Sequence, residues 1–245
     1  MCRPLPDVLR HYPLRWRLVF RPVWGITRLL FCPNYQGLDL LPEEGPYILV
    51  GNHQSNFDVI LAHAAISQPV RWLAKVELFK TPLIARAART LEAIPLDRSR
   101  ADIAAVKSIR SSLKEGRVVG MFPQATRVKE KDLANKLPPD SVSHLLSRSH
   151  VPIVPFAIQV PLKPFCRTQV VFGRPFYLAP EAAKKPEESK RYIMAKIFTL
   201  LDRPPDLALE QWLKDGCELE LIEESKDLTD SGNREIDIET ERRKP

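Results

Sequence analysis

Apolar positions between residues 46 and 175 recur as short runs separated by amphipathic stretches. Runs such as Tyr47-Ile48-Leu49-Val50 predict strands buried on both faces, and the stretches between them predict helices. The predicted strands cover 47–50, 70–74, 93–96, 117–122, 153–158 and 168–172, and the predicted helices cover 56–67, 78–90, 100–114 and 141–148. This alternation favours an α/β fold, in which an open central sheet carries helices on both faces.

The chain divides into three parts by composition. Residues 1–32 place arginines among tryptophan, phenylalanine and leucine, which predicts an N-terminal amphipathic helical segment. Such a segment is typical of a membrane-interface anchor; the alternative is a helical hairpin that packs on the domain with its arginines in water. Residues 33–215 form the predicted α/β domain, which includes a helix at about 187–202, and residues 216–245 form a charged tail that we expect to be disordered.

The net charge of +7 over 245 residues indicates an anionic partner, such as nucleic acid, a membrane surface or a phosphorylated substrate. We expect no nucleic acid, because the basic residues follow the N-terminal segment and the sequence blocks described below, and the aromatic residues are not arranged among them as a single-strand stacking platform needs. No run approaches the ~18 consecutive apolar residues of a spanning helix, so we expect peripheral binding to anionic lipids. The four cysteines are scattered without the paired spacing of a metal site, and we expect no metal.

A histidine and a carboxylate follow the first predicted strand, five positions apart. On one continuous helix His53 and Asp58 would diverge, because five residues turn about 500°. They can meet only if His53 lies on the turn after the strand and Asp58 in the first helical turn, with Ser55 as the N-cap. A neutral imidazole beside a carboxylate is a general base held in one tautomer. The alternative is a structural role, because Ser55-x-x-Asp58 is also a helix-capping signature.

Cationic and hydroxyl side chains follow the next predicted strands. Lys75 comes after the second strand, Arg98 after the third, and the block 122–127 after the fourth. In an open α/β sheet, chemistry gathers at such strand ends. Arg98 and Arg127 are suited to bidentate binding of a phosphate, and Lys75 adds a point charge.

These blocks resemble the glycerolipid acyltransferase family, whose members make phosphatidic acid from lysophosphatidic acid. That family's pattern is an N-H-x-x-x-x-D block, a lysine-containing segment leading to an I-P-x-D-R-like block, an F-P-E-G-T-R block and a V-P-I-x-P block. The matching segments, in the same order, are Asn52–Asp58, Lys75–Arg98, Phe122–Arg127 and Val151–Pro155. The resemblance covers roughly residues 14–178.

The resemblance implies that residues 33–215 are an acyltransferase domain acting at the cytoplasmic face of a membrane. A fatty acyl group would pass from acyl-CoA or acyl carrier protein to the sn-2 hydroxyl of 1-acylglycerol 3-phosphate. His53, oriented by Asp58, would be the general base, and no cofactor would be needed. Arg127 would hold the acceptor phosphate, helped by Arg98 and Lys75. The substrate-binding residues implied in this way are Lys75, Arg98, Gln124, Thr126 and Arg127.

The third block departs from the family pattern, with Gln124-Ala125 where the family has Glu-Gly. Glutamine keeps the shape of glutamate but replaces a charged acceptor oxygen with an NH₂ donor. Alanine adds a Cβ, which resists a positive φ and close approach of a ligand. Two other hypotheses therefore stay open: the same chemistry on another lysophospholipid or on a lipid amine or hydroxyl, and a catalytically silent membrane-binding relative. The intact His53–Asp58 pair argues against the silent relative.

Overall fold

The computed structural model describes residues 12–98, 102–129, 132 and 136–201. Its helices are α1 (Leu14–Phe31), α2 (Asp58–His63), α3 (Pro82–Thr90), α4 (Ile103–Lys114), α5 (Asp140–Ser147) and α6 (Pro186–Phe198). Its strands are β1 (Asn34–Gln36), β2 (Tyr47–Gly51), β3 (Val70–Lys75), β4 (Ile94–Leu96), β5 (Val118–Met121), β6 (Ile153–Ile158) and β7 (Gln169–Phe172). The predicted tail at 216–245 lies outside the described residues.

Within the described residues, seven strands form one sheet in the order β1-β7-β6-β2-β5-β3-β4. The five neighbouring strands β6, β2, β5, β3 and β4 are parallel to one another, whereas β7 runs antiparallel to β6 and pairs in parallel with β1. Parallel neighbours need crossover connections, which in this chain carry the helices. The predicted open α/β sheet is confirmed.

Each face of the sheet is covered by its own apolar layer, and strand β2 shows the division. Ile48 and Val50 face a layer built with α4, α5 and α6. Tyr47 and Leu49 face a second layer built with α1 and α2. All five residues of β2 are buried, because helices cover both faces and strands flank both sides. This burial explains the continuous apolar run from which the strand was predicted.

Helix α1 is amphipathic, and its aromatic side packs inward. Trp16, Phe20 and Trp24 recur every four residues on one helical face and are at most 2% exposed. The opposite side leaves large aliphatic side chains in solvent, at Leu14, Leu18, Ile26 and Leu29. The helix therefore covers the domain with one side and keeps an apolar surface on the other. None of the described helices combines the length and the apolar character needed to cross a bilayer.

Most ends of the predicted helices lie one to a few residues from the observed ends, and two helices also differ at the N-cap or in continuity. The helix predicted at 56–67 is α2, which Phe57 rather than Ser55 directly precedes; the Ser55 hydroxyl accepts a hydrogen bond from the N–H of Phe57 at 3.3 Å, so it caps the turn before α2 rather than α2 itself. The helix predicted at 78–90 is divided into a 3-10 turn, Val76–Lys80, and α3. Pro82 causes the division, because it has no N–H to donate backwards but fits the first helical position. Strand β1 was not predicted, since its three residues contain no apolar run.

Candidate active site

The predicted site residues lie where the parallel strands end, along one edge of the sheet. His53 follows β2, Lys75 ends β3, Arg98 follows β4, and the segment 124–127 follows β5. Because β2, β5, β3 and β4 are adjacent and parallel, their carboxyl ends share this edge. Strands β2 and β5 are direct neighbours, so the His53 turn and the segment 124–127 lie next to each other.

His53 and Asp58 meet across the turn between β2 and α2, as the sequence predicted. The Nδ1 atom of His53 lies 2.9 Å from Oδ2 of Asp58, whose side chain is fully buried. The same oxygen accepts hydrogen bonds from the backbone N–H groups of Gln54 and Ser55, each at 2.7 Å. With Nδ1 donating to this fixed carboxylate, Nε2 carries the lone pair of the neutral ring. The pair therefore has the arrangement of an oriented general base.

Two amide side chains hold the backbone on either side of His53. Asn52 is fully buried, and its side chain makes a two-way pair with the backbone of Ile158: Nδ2 donates to the carbonyl at 2.9 Å, and Oδ1 accepts from the N–H at 2.8 Å. Gln54 accepts a hydrogen bond from the N–H of Leu162 at 2.8 Å. These three bonds tie the turn to the end of β6 and to the loop that follows it, so the base is carried on a segment with little freedom to move.

A stack of aromatic rings supports the face of the imidazole. The rings of His53 and Phe122 are 4.0 Å apart and inclined by 14°, and Phe122 lies 5.2 Å from Trp72 at 18°. Gly120 faces Trp72 across the β3–β5 pair, where any Cβ would collide with the indole. The indole N–H donates to Nδ1 of His63 at 3.1 Å, and burial lowers the pKa of His63 to about 3. His53 is thus fixed at its edge by Asp58 and at its face by Phe122.

The two residues that depart from the family pattern form a tight turn after β5. Gln124 is 2% exposed, and its Nε2 donates to the carbonyl of Lys136 at 2.8 Å. Ala125 has a φ of 57°, and its N–H donates to the carbonyl of Phe122 at 2.9 Å. Glycine adopts this left-handed conformation freely, whereas an L-residue with a Cβ loses about 1–2 kcal/mol there. Ala125 therefore adopts the positive φ that its Cβ disfavours.

A cavity of about 360 Å³ lies directly after this turn. The residues that line it are Thr126, Arg127, Val128, Lys129, Asp132 and Lys136. The N–H of Val128 donates to the carbonyl of His53 at 2.7 Å, so the wall of the cavity is joined to the segment that carries the base. Three cationic side chains against one carboxylate make this cavity suitable for an anion.

Lys75 and Arg98 are not among the described residues that line this cavity. The Nζ of Lys75 lies 3.0 Å from a carboxylate oxygen of Glu77, and both side chains are about half exposed. Arg98 follows the edge strand β4, three strands from β2, or roughly 14 Å at about 4.8 Å per strand. The turn that carries Arg98 is held by Asp102, whose pKa is lowered chiefly by the backbone N–H of Asp97 at 2.8 Å. The structure thus places Thr126 and Arg127 in the cavity lining, whereas Lys75 and Arg98 lie outside that lining at the carboxyl ends of β3 and β4.

Some residues of the site were not identified from the sequence. The stacking role of Phe122 depends on strand pairing, and Lys129 and Lys136 lie outside every recognisable block. The supporting roles of Asn52 and Gln54 could have been predicted from their positions on either side of His53, because buried amide side chains are normally hydrogen-bonded. Within the described part of the chain, no group of three or more His, Cys, Asp or Glu side chains is placed to hold a metal ion.

Comparison with known proteins gives a consistent assignment. A family model described as Acyltransferase matches residues 32–159. A 1-acyl-sn-glycerol-3-phosphate acyltransferase of Bacillus subtilis (strain 168) is 30% identical over 122 residues, which are 49% of this chain and 59% of that protein. The chloroplastic 1-acyl-sn-glycerol-3-phosphate acyltransferase BAT2 of Brassica napus is 29% identical over 130 residues, 51% of this chain and 36% of that protein. The chain thus spans 59% or less of the length of these two relatives.

A solved structure shares the fold. The 1-acyl-sn-glycerophosphate (LPA) acyltransferase PlsC from Thermotoga maritima superimposes with a TM-score of 0.52 and 21% identity, covering 73% of this chain and 76% of that one. The family model itself covers more than half of the sequence and includes the His53 turn, β5 and the cavity-lining segment. The chain belongs to the Acyltransferase family.

Proposed function

We propose that this protein transfers a fatty acyl group from a thioester donor to the sn-2 hydroxyl of 1-acylglycerol 3-phosphate, giving phosphatidic acid. The observation that carries the proposal is the His53–Asp58 pair, whose Nδ1 and Oδ2 atoms lie 2.9 Å apart at the carboxyl end of β2, beside a cationic cavity. The printed names of the relatives, 1-acyl-sn-glycerol-3-phosphate acyltransferases, support the choice of acceptor. The donor is an acyl-CoA or an acyl carrier protein, and no cofactor takes part.

The proposed reaction uses His53 twice. Its Nε2 accepts the proton of the sn-2 hydroxyl while that oxygen attacks the thioester carbonyl carbon. The resulting tetrahedral oxyanion collapses, the carbon–sulfur bond breaks, and the proton on His53 passes to the departing thiolate. Asp58 stabilises the imidazolium that exists between these steps, and Arg127 holds the acceptor phosphate. General base catalysis of this kind contributes about 10²–10⁴-fold to the rate.

The direct test is acyl transfer by purified protein in mixed micelles, from palmitoyl- or oleoyl-CoA and from acyl carrier protein to lysophosphatidic acid. We expect phosphatidic acid from the wild type and at least a hundredfold less from His53→Ala, since the base is lost. His150→Ala, at an exposed histidine, is the matched control and should keep activity. Wild-type turnover by His53→Ala would refute the base assignment.

A second candidate is the same chemistry on another acceptor, and the Gln124-Ala125 turn motivates it. A panel of lysophospholipids, lipid amines and lipid alcohols, run under the same conditions, separates the two candidates. Faster transfer to any of these than to lysophosphatidic acid would show that the acceptor is a different lipid, while the proposed acyl-transfer reaction would stand. Absence of transfer to every acceptor, together with intact folding, would instead favour the silent membrane-binding relative.

We also propose that α1 binds peripherally to an anionic membrane, on the cytoplasmic face. Leu18 and Leu29 are 68% and 78% exposed on the outer side of α1, and arginines are interspersed along the same helix. Apolar side chains that enter the acyl boundary, with cations at the headgroups, give this kind of binding. The double change Leu18→Ser with Leu29→Ser should release the protein from vesicles containing anionic lipid. Ile103→Ser, equally exposed on α4, is the control.

A further inference from the structure

The cavity beside His53 contains more positive charge than the family-like block supplies. Arg127 belongs to that block, whereas Lys129 and Lys136 lie beyond it. Asp132 is the one carboxylate among the lining side chains, so two positive charges remain in excess. Arginine offers a planar fork for two phosphate oxygens, and lysines add compact point charges around the others. The lining therefore matches an anion that carries more than one negative charge.

The buried Gln124 fixes one side of this cavity. Its amide is 2% exposed and donates to the backbone carbonyl of Lys136 at 2.8 Å. This bond joins the turn after β5 to the backbone of Lys136, which is itself one of the lining residues. A glutamate at this position has no N–H to donate and would set a negative oxygen against the carbonyl. The glutamine that departs from the family pattern thus suits a bond that glutamate cannot make.

We infer that Lys129 and Lys136 extend the phosphate site and select acceptors that end in a phosphate monoester, with Gln124 as the residue that positions Lys136. This inference rests on the proposed function and specifies its acceptor site. A phosphate monoester carries a charge of about −1.5 to −2 at neutral pH, because its second pKa is about 6. A phosphodiester headgroup carries a single negative charge, and a choline or ethanolamine headgroup adds a cation that the lysines repel. Charge therefore distinguishes lysophosphatidic acid from other lysophospholipids.

The test compares acceptor KM and kcat in wild type, Lys129→Gln, Lys136→Gln and the double variant. In mixed micelles we expect each single change to raise the KM for 1-oleoylglycerol 3-phosphate about tenfold, the typical effect of losing one hydrogen bond to a charged group. The kcat should change far less, because neither lysine touches the reacting atoms. For 1-oleoylglycerophosphocholine the KM should stay level or fall. Lys107→Gln, an exposed lysine on α4, is the matched control.

The thioester donor is the competing source of phosphate, since CoA and the carrier-protein prosthetic group both contain it. The donor KM is therefore measured in the same variants. If the lysine changes raise the donor KM and leave the acceptor KM unchanged, the cavity binds the donor and the inference is overturned. A second readout avoids turnover: glycerol 3-phosphate should bind the wild type detectably by calorimetry and bind Lys136→Gln about tenfold more weakly.

The positioning role of Gln124 has its own test. Gln124→Glu should raise the acceptor KM in the wild-type background and add little in the Lys136→Gln background, because one residue acts through the other. Additive effects would show that Gln124 acts independently of Lys136. Absence of acyl transfer by the wild type would refute the proposed function, whereas transfer with an unchanged acceptor KM in both lysine variants would refute this inference alone.

Discussion

The His53 turn and the cavity at residues 126–136 are neighbours on one sheet edge, yet they are built differently. Around His53, the supporting groups are buried: Asp58 and Asn52 are both fully covered, and each is hydrogen-bonded to the backbone. Around the cavity, Arg127, Lys129 and Lys136 are exposed on long side chains. The chemistry of the first region tolerates little movement, whereas the second can adjust to the headgroup it binds.

This difference predicts how substitutions divide between the two regions. A change near His53 should lower kcat for every acceptor, because it alters an arrangement used in the transition state. A change among the cavity lysines should alter KM and the ranking of acceptors. A substitution near His53 that changed only KM, or a cavity substitution that changed only kcat, would contradict this division of roles between the two regions.

The largest effect is expected from Asp58→Asn. Asparagine can still accept hydrogen bonds from Gln54 and Ser55, so the turn should keep its shape, but the charge that stabilises the imidazolium is lost. We expect kcat to fall by about 10²-fold or more with KM nearly unchanged. Steady-state kinetics with lysophosphatidic acid measures both, and Asp39→Asn, on a separate turn, serves as the control. A change confined to KM would show that Asp58 acts on binding instead.

A smaller effect on the same side is expected from Phe122→Leu. Leucine preserves apolar volume but removes the ring that stacks on His53 at 4.0 Å. An aromatic pair is worth about 0.5–1.5 kcal/mol, and a ring beside a cation gains further as the imidazolium forms, so kcat should fall about tenfold. Phe165→Leu changes a phenylalanine that is 80% exposed and should leave kcat unaltered. Equal losses of kcat in the two variants would show that the Phe122 ring does not contribute to catalysis by stacking on His53.

His63, which accepts the indole N–H of Trp72 behind the stack, predicts a pH dependence of stability. The folded-state pKa of His63 is about 3, below its ordinary 6.5, because the ring is buried. The unfolded chain therefore binds a proton that the folded chain does not, and the stability linked to this group is full above about pH 6.5 and decreases as the pH falls towards 3. The free energy of unfolding should fall by about 1.4 kcal/mol per pH unit in this window relative to His63→Leu. Denaturant titrations of both proteins at pH 7.5 and 5.5 measure the difference, and parallel curves would contradict it.

The sequence predicted the sheet well because its central strands are buried on both faces. The four apolar residues 47–50 lie within β2, and all five residues of that strand are buried. Strand β1 was missed because Asn34 and Gln36 make it polar, and its pairing with β7 is a property of the fold. Local polarity patterns report burial, and they carry no information on a short edge strand.

The candidate site was predicted where the chemistry is local in sequence. His53 and Asp58 are five residues apart, and a single turn brings them together. The partners of Phe122 and Gln124 could not be predicted, because Trp72 is brought by strand pairing and Lys136 by a long connection. The place of Gln124 in the block predicts a substrate contact, whereas in the structure its NH₂ donates to the backbone carbonyl of Lys136.

The smallest effect concerns Ala125, which lies on the boundary between the two regions. A φ of 57° destabilises the folded state by about 1–2 kcal/mol when the residue is alanine. Glycine removes this penalty but offsets part of the gain, because it gives the unfolded chain more conformational freedom. Ala125→Gly should therefore raise the free energy of unfolding by about 0.5–1 kcal/mol. Ala104→Gly, on the exposed side of α4, should lower it by about 1 kcal/mol. Opposite signs in equilibrium denaturation would locate the strain at Ala125, and kinetics on the same variant would show whether relaxing this turn disturbs the His53 side, the cavity side or neither.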